Sequence, residues 1–566
     1  MSRDAVNLQP HVAQLLKITA SKPQLKAAVS ACPPPNLQCK GVTSTPQEFE
    51  NWSLEIDIFG VPTAKVNNAD DVVCIANWAK DNGYTIRPVG QSHNWSPLVL
   101  PNGTDPCSKV LLVDTQKLKT MVFNSGPNPS ATFGTGVTIE ECTAFLEQQN
   151  NNGASQAPGY SFLNFTAPGK LSLGGVLAIG GHGTGIPVNG EPNLDGCLSN
   201  LIVSFKAVVT DPAGDPQKYV IKQFSRSDAD ASAFLVHLGR AFIVEVTLAV
   251  VPNFYLQVQN LYPHVDILFQ PATAPSNPQS LAGLLKTYGR LEAIWFAYTT
   301  TPWVKTWQYQ SQEIQPQVPG PYNYPWANKV PKWLSNLICD GLRALPSSAL
   351  VFGPGELIAA VTNAPTSLVL NGTARDLLLY VENDTLRVTA FGYALQLALA
   401  DVQGAMNAFY AKFVSLLAQY NKNGDYPVNV AIEVRITTVD FVQALGVNNA
   451  APPNLSVCNP ASGNVDTVLW LDILTVPATP SSYEFFQEME TWMDSQWGSG
   501  GANILRPEWS KGWAYTSAGA WTNQQVITQN FPAYFGASFQ AAQQILAKYD
   551  KFHIYTNALL NQLLPG

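Results

Sequence analysis

Charge is what this 566-residue sequence has least of. Asp, Glu, Lys and Arg make up 13% of it, against the roughly 25% usual for globular chains. With a net charge of −8 and no run of lysine or arginine, it lacks the basic footprint that neutralises a phosphate backbone, which excludes nucleic acid as a partner. Cysteine is scarce as well. Eight residues with no CxxC pair make neither a disulfide scaffold nor a zinc site, and no metal is expected. Long apolar runs are also missing. The most apolar stretch, Ala241–Val251, contains Glu245 and falls well short of the ~20 residues of a transmembrane helix. No apolar segment follows the opening Met-Ser-Arg-Asp, so either the chain has no signal peptide or it has been removed. A surface this poor in ions suits an exported protein, and a secreted or periplasmic location is expected.

What is present is an ordinary 46% of hydrophobic residues on a chain long enough for two or three domains, since single cores stop growing near roughly 250–300 residues. Val12–Leu25 is amphipathic at helical spacing. From Ala64 the pattern alternates. Ala64–Val66 reads as a strand, and Asn68 caps a helix running to about Asp81, which Gly83 ends. Tyr84–Val89, Val110–Asp114, Met121–Asn124 and Ala131–Gly134 read as strands, and Thr138 caps a second helix with an acidic first turn, as the macrodipole favours. Val203–Thr210, Tyr219–Gln223 and Ile243–Val251 complete an α+β first domain. From Pro252 to about residue 350 the sequence is mixed and rich in Trp, Tyr and Pro. Phe391–Gln419 then reads as helix, Val428–Thr438 and Val468–Leu474 as strands, and Phe539–Leu564 as helix. Cys32 and Cys39 bracket a Pro-rich loop, and both a bond between them and two free thiols fit. Cys74, Cys142 and Cys339 lie in apolar surroundings and read as core residues.

Three glycine-dense segments stand out: Gly90-Gln-Ser-His93, Gly134-Thr-Gly136 and Gly174–Gly185. Glycine lets the backbone approach a ligand and turn its N–H groups into an anion-binding nest, although any one such loop taken alone is more often a simple turn. No GxGxxG sits between a first strand and a helix with an acid about 20 residues on, so this is not a Rossmann fingerprint. Further along, Glu433, Arg435 and Thr437 share one face of a strand whose other face is Ile432, Val434 and Ile436. A surface ion pair on an edge strand and a buried reactive site both fit that pattern.

The order of the segments resembles a known family. Arg87-Pro-Val-Gly-Gln-Ser-His-Asn-Trp95, Phe133-Gly-Thr-Gly-Val-Thr138, Leu173-Gly-Gly-Val-Leu-Ala-Ile-Gly-Gly-His-Gly-Thr-Gly185 and Gly239-Arg-Ala-Phe-Ile-Val-Glu-Val-Thr-Leu248 resemble, over roughly residues 50–255, the FAD domain of the vanillyl-alcohol-oxidase (PCMH-type) family. The resemblance implies FAD, joined by an 8α-histidyl bond to His93. Lys170-Leu-Ser-Leu stands where bicovalent members carry a cysteine, which implies a single link. The cofactor contacts it implies are Pro88, Val89, Gly90, Gln91, Ser92, Asn94, Gly134, Gly174, Gly175, Gly180, His182, Gly183, Gly185 and Ile243. The sequon Asn94-Trp-Ser adjoins His93, where a glycan would block the pocket, and reads as chance composition.

The Glu433-x-Arg435 strand and Arg506-Pro-Glu-Trp-Ser-Lys511 resemble active-site segments of alditol and aldonolactone oxidases and of the covalent-flavin sterol oxidases. Gly289–Trp307 resembles the substrate domain of the covalent-flavin cholesterol oxidases. That likeness implies an α+β chain in which a substrate domain with a large antiparallel sheet flanked by helices (256–514) joins an FAD domain (1–255, with 515–566 returning to it). It also implies oxidation of a sterol 3β-hydroxyl by oxygen, giving hydrogen peroxide, followed by isomerisation to the 4-en-3-one. Arg435 is expected to stabilise negative charge. Glu433 is expected to act as base and proton carrier, with Glu292 and Glu508 as rivals, and Lys511 to orient the hydroxyl or help remove its proton. A monomer that touches membrane surfaces transiently to extract sterol is expected. An alditol or aldonolactone oxidase of the same family is the alternative.

Overall fold

A computed structural model describes residues 32–188, 196–271, 277–325, 330–382, 385–461, 463–498 and 503–566; the expected helix Val12–Leu25 lies outside them. Near the start, β1 (Ser44–Glu50), β2 (Asp57–Lys65), β3 (Thr85–Val89) and β4 (Val110–Asp114) form a sheet in the order β1-β2-β4-β3. The crossover helix α1 (Ala69–Asn82) begins where Asn68 accepts from the Asp71 amide and ends at Gly83 in the left-handed conformation, which glycine adopts at little cost.

Next come β5 (Met121–Asn124), β6 (Ser130–Gly134), β7 (Tyr160–Ser161), β8 (Ile202–Thr210), β9 (Tyr219–Ser225), β10 (Phe242–Ala249) and β11 (Val251–Pro252). β7 pairs with β11, and the rest form a sheet in the order β5-β6-β10-β8-β9. Thr138 and Glu141 close a full capping box on α2 (Ile139–Glu147), satisfying two otherwise orphaned donors.

The second region holds one antiparallel sheet of β12 (Tyr255–Leu261), β13 (Arg290–Phe296), β14 (Trp303–Gln310), β15 (Val369–Thr373), β16 (Thr389–Leu397), β17 (Ala431–Thr438), β18 (Thr467–Thr475) and β19 (Ile504–Pro507), in the order β15-β12-β14-β13-β17-β18-β16-β19. Helix Val402–Lys422 covers one face, where Trp295 of β13 packs on Tyr410 and Phe413. The pleat turns Glu292, Ile294, Glu433 and Arg435 to the opposite face. A single hydrophobic core runs from Phe133 and Phe205 in the first region to Trp295 and Ile432 in the second. The chain end returns to the first region: the Ile86 amide donates to Ile554 O, Arg240 to Tyr555 O, and the Tyr219 hydroxyl to Asp550.

The structure corrects several expectations. Phe391–Gln419 is not one helix, because residues 389–397 form strand β16 and the helix starts at Val402. Every residue of β16 is buried, and a strand enclosed on both faces loses the alternation that betrays a strand. The mixed stretch after Pro252 contains β12, β13 and β14. Phe539–Leu564 is two helices, Ala537–Tyr549 and Ala558–Leu563, separated by the docking segment around Asp550–Asn557. Cys32 bonds Cys107 and Cys39 bonds Cys74, so the Cys32–Cys39 pair does not form and Cys74 is a disulfide partner. Cys142 and Cys339 are buried and free.

Candidate functional site: two cavities meeting at His93

Strand β3 runs parallel to β4 and ends at Val89, which leaves the loop Gly90–Asn94 at the sheet's edge. A side chain at Gly90 would collide with Ser172 Oγ, so only glycine lets this loop pack against α3 (Leu173–Ala178). Ser92 takes a positive φ of 52°. Among the described residues no acceptor engages the amides of Gly90, Gln91, Ser92, His93 or Asn94.

This loop walls a cavity of about 160 Å³ together with Leu171–Ile179 and His237–Ile243. No carboxylate lines it. Unpartnered amides around a glycine, in an apolar wall free of acids, suit an anionic dinucleotide pyrophosphate, and FAD fits on those grounds. Arg87 does not bear charge into the cavity unaided: its guanidinium donates to the carbonyls of Leu98, Val99 and Gly239. Gly239, at φ 84°, leaves room for it.

Pro88, Val89, Gly90, Gln91, Ser92, His93, Asn94, Gly174, Gly175 and Ile243 all line this first cavity. His182 and Gly183 line the second. Gly134, Gly180 and Gly185 line neither. A Cβ at Gly134 would strike the Leu118 backbone, Gly180 packs beside Val236, and the Gly185 amide donates to Ile436 O at 2.6 Å.

The second cavity measures about 360 Å³ and is walled by β13, β14 and β17, by the segment 165–184, by Leu378, Tyr380, Val381, Leu386 and Val388, and by Glu508, Ser510 and Lys511. His93 lines both cavities. It packs beside Trp52, ring centroids 5.0 Å apart. Burial, reinforced by Lys511 and Arg387, holds its imidazole neutral down to about 3.

One wall of this cavity concentrates charge. β13 places Glu292 opposite Arg435 of β17, β14 places Lys305 opposite Glu292, and β18 places Asp472 opposite Glu433. Arg435 bridges three acids: Nε donates to Glu292 at 2.8 Å, Nη2 to Glu433 at 2.6 Å and Nη1 to Asp472 at 3.1 Å. Lys305 Nζ lies 2.6 Å from the other Glu292 oxygen. Burial alone would raise the Glu292 carboxyl, but Lys305 and Arg435 hold it at about 2. Among the described residues Glu433 binds only Arg435, through one oxygen.

Lys511 sits 3.4 Å from Asp472, 4.0 Å from Glu508 and 4.1 Å from the centre of the Trp95 ring. Burial would lower its ammonium, but Asp472 and Glu508 raise it. Burial is likewise outweighed at Glu508, which Lys511 and His182 hold well below the usual carboxylate range. Burial and Glu508 push Asp472 up. His182 stacks on Trp470 at 3.5 Å, its Nδ1 lies 2.8 Å from Gly183 O, and its Nε2 lies 3.9 Å from Glu508.

Glu292, Glu433, Arg435, Glu508 and Lys511, all expected from the sequence, thus come together in one cavity. It missed Lys305, Asp472 and Gly392. A Cβ on Gly392 would lie 2.6 Å from Lys511 Cβ and Cγ and 2.8 Å from Asp472 Oδ1, so glycine alone lets Lys511 settle on the sheet. Asp472, a lone acid inside the apolar strand Thr467–Thr475, was a readable signal, because a bare charge is not buried without a partner.

Comparison with known proteins agrees with this layout. Residues 63–199 match the family model of an FAD binding domain, so the class is that of FAD-dependent oxidoreductases. Residues 262–565 match the model described as cholesterol oxidase, substrate-binding. A solvent-stable cholesterol oxidase structure is 35% identical, with 94% of this chain and 99% of that one covered at a TM-score of 0.85. The cholesterol oxidase from B. sterolicum is 30% identical over 94% and 99% at 0.87. The chain belongs to the cholesterol oxidase family. A chitooligosaccharide oxidase, 11% identical over 90% and 93% at 0.53, shares the fold alone. Comparison with curated protein sequences gave no match.

Proposed function

We propose that the protein oxidises the 3β-hydroxyl of a sterol such as cholesterol, with FAD covalently joined to His93, and then isomerises the product to the 4-en-3-one. The observation that carries this reading is His93 in the wall of both cavities, with Glu433 and Arg435 in the wall of the second. FAD, when bound, would supply the acceptor for the hydride of the carbinol carbon and the route by which both electrons reach oxygen, giving hydrogen peroxide. The neutral imidazole of His93 keeps a nitrogen lone pair for the bond to the cofactor. The amides of Gly90–Asn94 would hold the pyrophosphate.

The protein's own groups then divide the work. Glu433 has one oxygen without a partner among the described residues and takes the hydroxyl proton. Arg435 stabilises the developing negative charge. Lys511, held over Trp95, orients the hydroxyl oxygen. Glu292 is committed to Lys305 and Arg435 and stays ionised, which leaves it the role of anchor, and Glu508 is similarly held by Lys511. Once it has given up the hydroxyl proton to the hydrogen peroxide that forms, Glu433 is a carboxylate again and carries the C4 proton to C6. The apolar walls, among them Phe165, Ile294, Phe296, Phe352 and Leu474, suit a steroid nucleus better than a sugar alcohol, which needs many polar donors.

The same reading divides the chain into an FAD domain (1–255 with 515–566) and a substrate domain (256–514). It describes an exported monomer that meets its sterol at membrane surfaces, and the two disulfides support an oxidising compartment. Hydrogen peroxide release with cholesterol and with xylitol tests it. Peroxide from cholesterol is expected, and peroxide from xylitol alone selects the alditol oxidase alternative.

A further inference from the structure

The segment that carries Glu508 and Lys511 is a loop, held by backbone bonds to its neighbours. It leaves β19 at Pro507 and runs along β16. The Glu508 amide donates to Gly392 O at 3.1 Å, the Gly512 amide to Ala390 O at 2.7 Å, and the Gly392 amide to Gly512 O at 3.1 Å. Those bonds fix the backbone on either side of Lys511. Three residues further on, Ala514 takes a positive φ of 54°, which a residue other than glycine adopts only where its surroundings compel it.

A carboxylate from another element supplies that constraint. Glu490, on helix Ser482–Trp497, accepts from the Ala514 amide at 2.5 Å, from the Tyr515 amide at 2.8 Å and from the Tyr393 hydroxyl. Tyr393 follows Gly392 in β16, and Gly392 is the residue on which Lys511 rests. The pleat sends these two neighbours to opposite faces of the sheet. Glu490 and Lys511 are therefore fastened to the same point of β16 from its two sides. Tyr515 adds a further tie, because its hydroxyl stands where a Cβ on Gly512 would be.

Glu490 is 4% exposed, and its three partners are neutral donors. A buried carboxylate without a cation is costly. Burial pushes its carboxyl up to about 7 against the pull of its hydrogen bonds, and Asp494, one turn along the helix, pushes the same way. What an acid gains here is two oxygens, each able to take one of two adjacent amides. A glutamine would turn a donor toward one of them.

We infer that Glu490 is a positioning residue for the oxidation: by holding the amides of Ala514 and Tyr515 it fixes the loop that presents Lys511 over Trp95 and beside Asp472. Glu490 lines neither cavity and acts through Lys511. The inference rests on the reading in which Lys511 orients the substrate hydroxyl, whatever alcohol carries that hydroxyl.

The test compares four FAD-loaded full-length proteins: native, Glu490→Gln, Lys511→Met and the double variant. Peroxide release from cholesterol and from xylitol at about pH 8, where Glu490 is ionised, gives kcat and KM. Glu490→Gln is expected to lower kcat about tenfold with KM within about twofold of native, a split that general loss of structure would not give. Lys511→Met is expected to lower kcat about a hundredfold. Adding Glu490→Gln to Lys511→Met is expected to change kcat by less than about twofold, because residues that act through one another are not additive. A Glu490→Gln variant with native kcat overturns the role, and so does a fall of equal size in both backgrounds. Native kcat in Lys511→Met removes the reading of Lys511 and the role of Glu490 with it. Peroxide from xylitol alone removes the sterol reading, and the same four rates on xylitol then decide the role of Glu490. No peroxide from either alcohol overturns both. Tyr393→Phe, which keeps the carboxylate and both amides, guards against misfolding of Glu490→Gln. It is expected to lower kcat about two- to threefold in the native background and to leave it unchanged beside Lys511→Met.

Discussion

The first cavity is walled by glycine-bearing loops and aliphatic side chains and contains no carboxylate, whereas the second is lined by the acids Glu292, Glu356, Glu433 and Glu508 and the cations Lys305, Arg435 and Lys511. The first offers backbone, which can be built only where glycine lets chain segments close up. The second offers side chains, whose charges hold one another in fixed protonation states. A cofactor that remains through every turnover is matched to rigid amides; a substrate whose proton must move is matched to groups that can take it.

Substitutions in the charged wall sharpen the contrast most. Arg435→Met leaves two buried acids, Glu292 and Asp472, and the half-buried Glu433 without their shared cation. It is expected to cut kcat by about a thousandfold and to cost roughly 3–5 kcal/mol, read by turnover and denaturant unfolding. Glu433→Gln is expected to lower kcat by ~10²–10⁴ with KM little changed, since Arg435 keeps Glu292 and Asp472. In the first cavity, His93→Ala is expected to leave FAD bound but released on acid precipitation, where the native protein pellet stays yellow. If that variant's pellet stays yellow too, His93 is not the link.

Smaller effects follow. Gly392→Ala drives a methyl against Lys511 and is expected to cost about 1–3 kcal/mol and to lower kcat more than it alters KM. The pH dependence has a definite sign. The Glu292 carboxyl is depressed from 4.5 to about 2, so its contribution to stability is fully present above about pH 4.5 and is lost as pH falls toward 2. Lys305→Met removes the partner that lowers it most, and acid unfolding is expected to begin at higher pH in that variant.

The first cavity was legible in the sequence because loop chemistry is local: Gly90–Asn94 and Gly174–Gly175 announce themselves by composition. The second was legible only in part. Glu433 and Arg435 stood out as charges two apart in an apolar strand, and Glu508 and Lys511 came through a family motif. Lys305 joins them by strand register opposite Glu292, a pairing that leaves no local trace, whereas Asp472, opposite Glu433, leaves one as the lone acid of an apolar strand. β16 escaped for a related reason, since enclosure on both faces made it read as helix. The disulfides escaped too, because sequence spacing alone does not say that Cys107 and Cys74 are the partners.

Flavin reduction in a single anaerobic turnover tests the assignment of Glu433 most directly. Mixing the FAD-loaded protein with cholesterol and following the flavin absorbance isolates the step in which hydroxyl proton and hydride leave the substrate. The native chain is expected to bleach rapidly and Glu433→Gln at least a hundredfold more slowly, at a similar half-saturating sterol concentration. Equal bleaching rates in the two proteins would contradict Glu433 as the group that takes the proton.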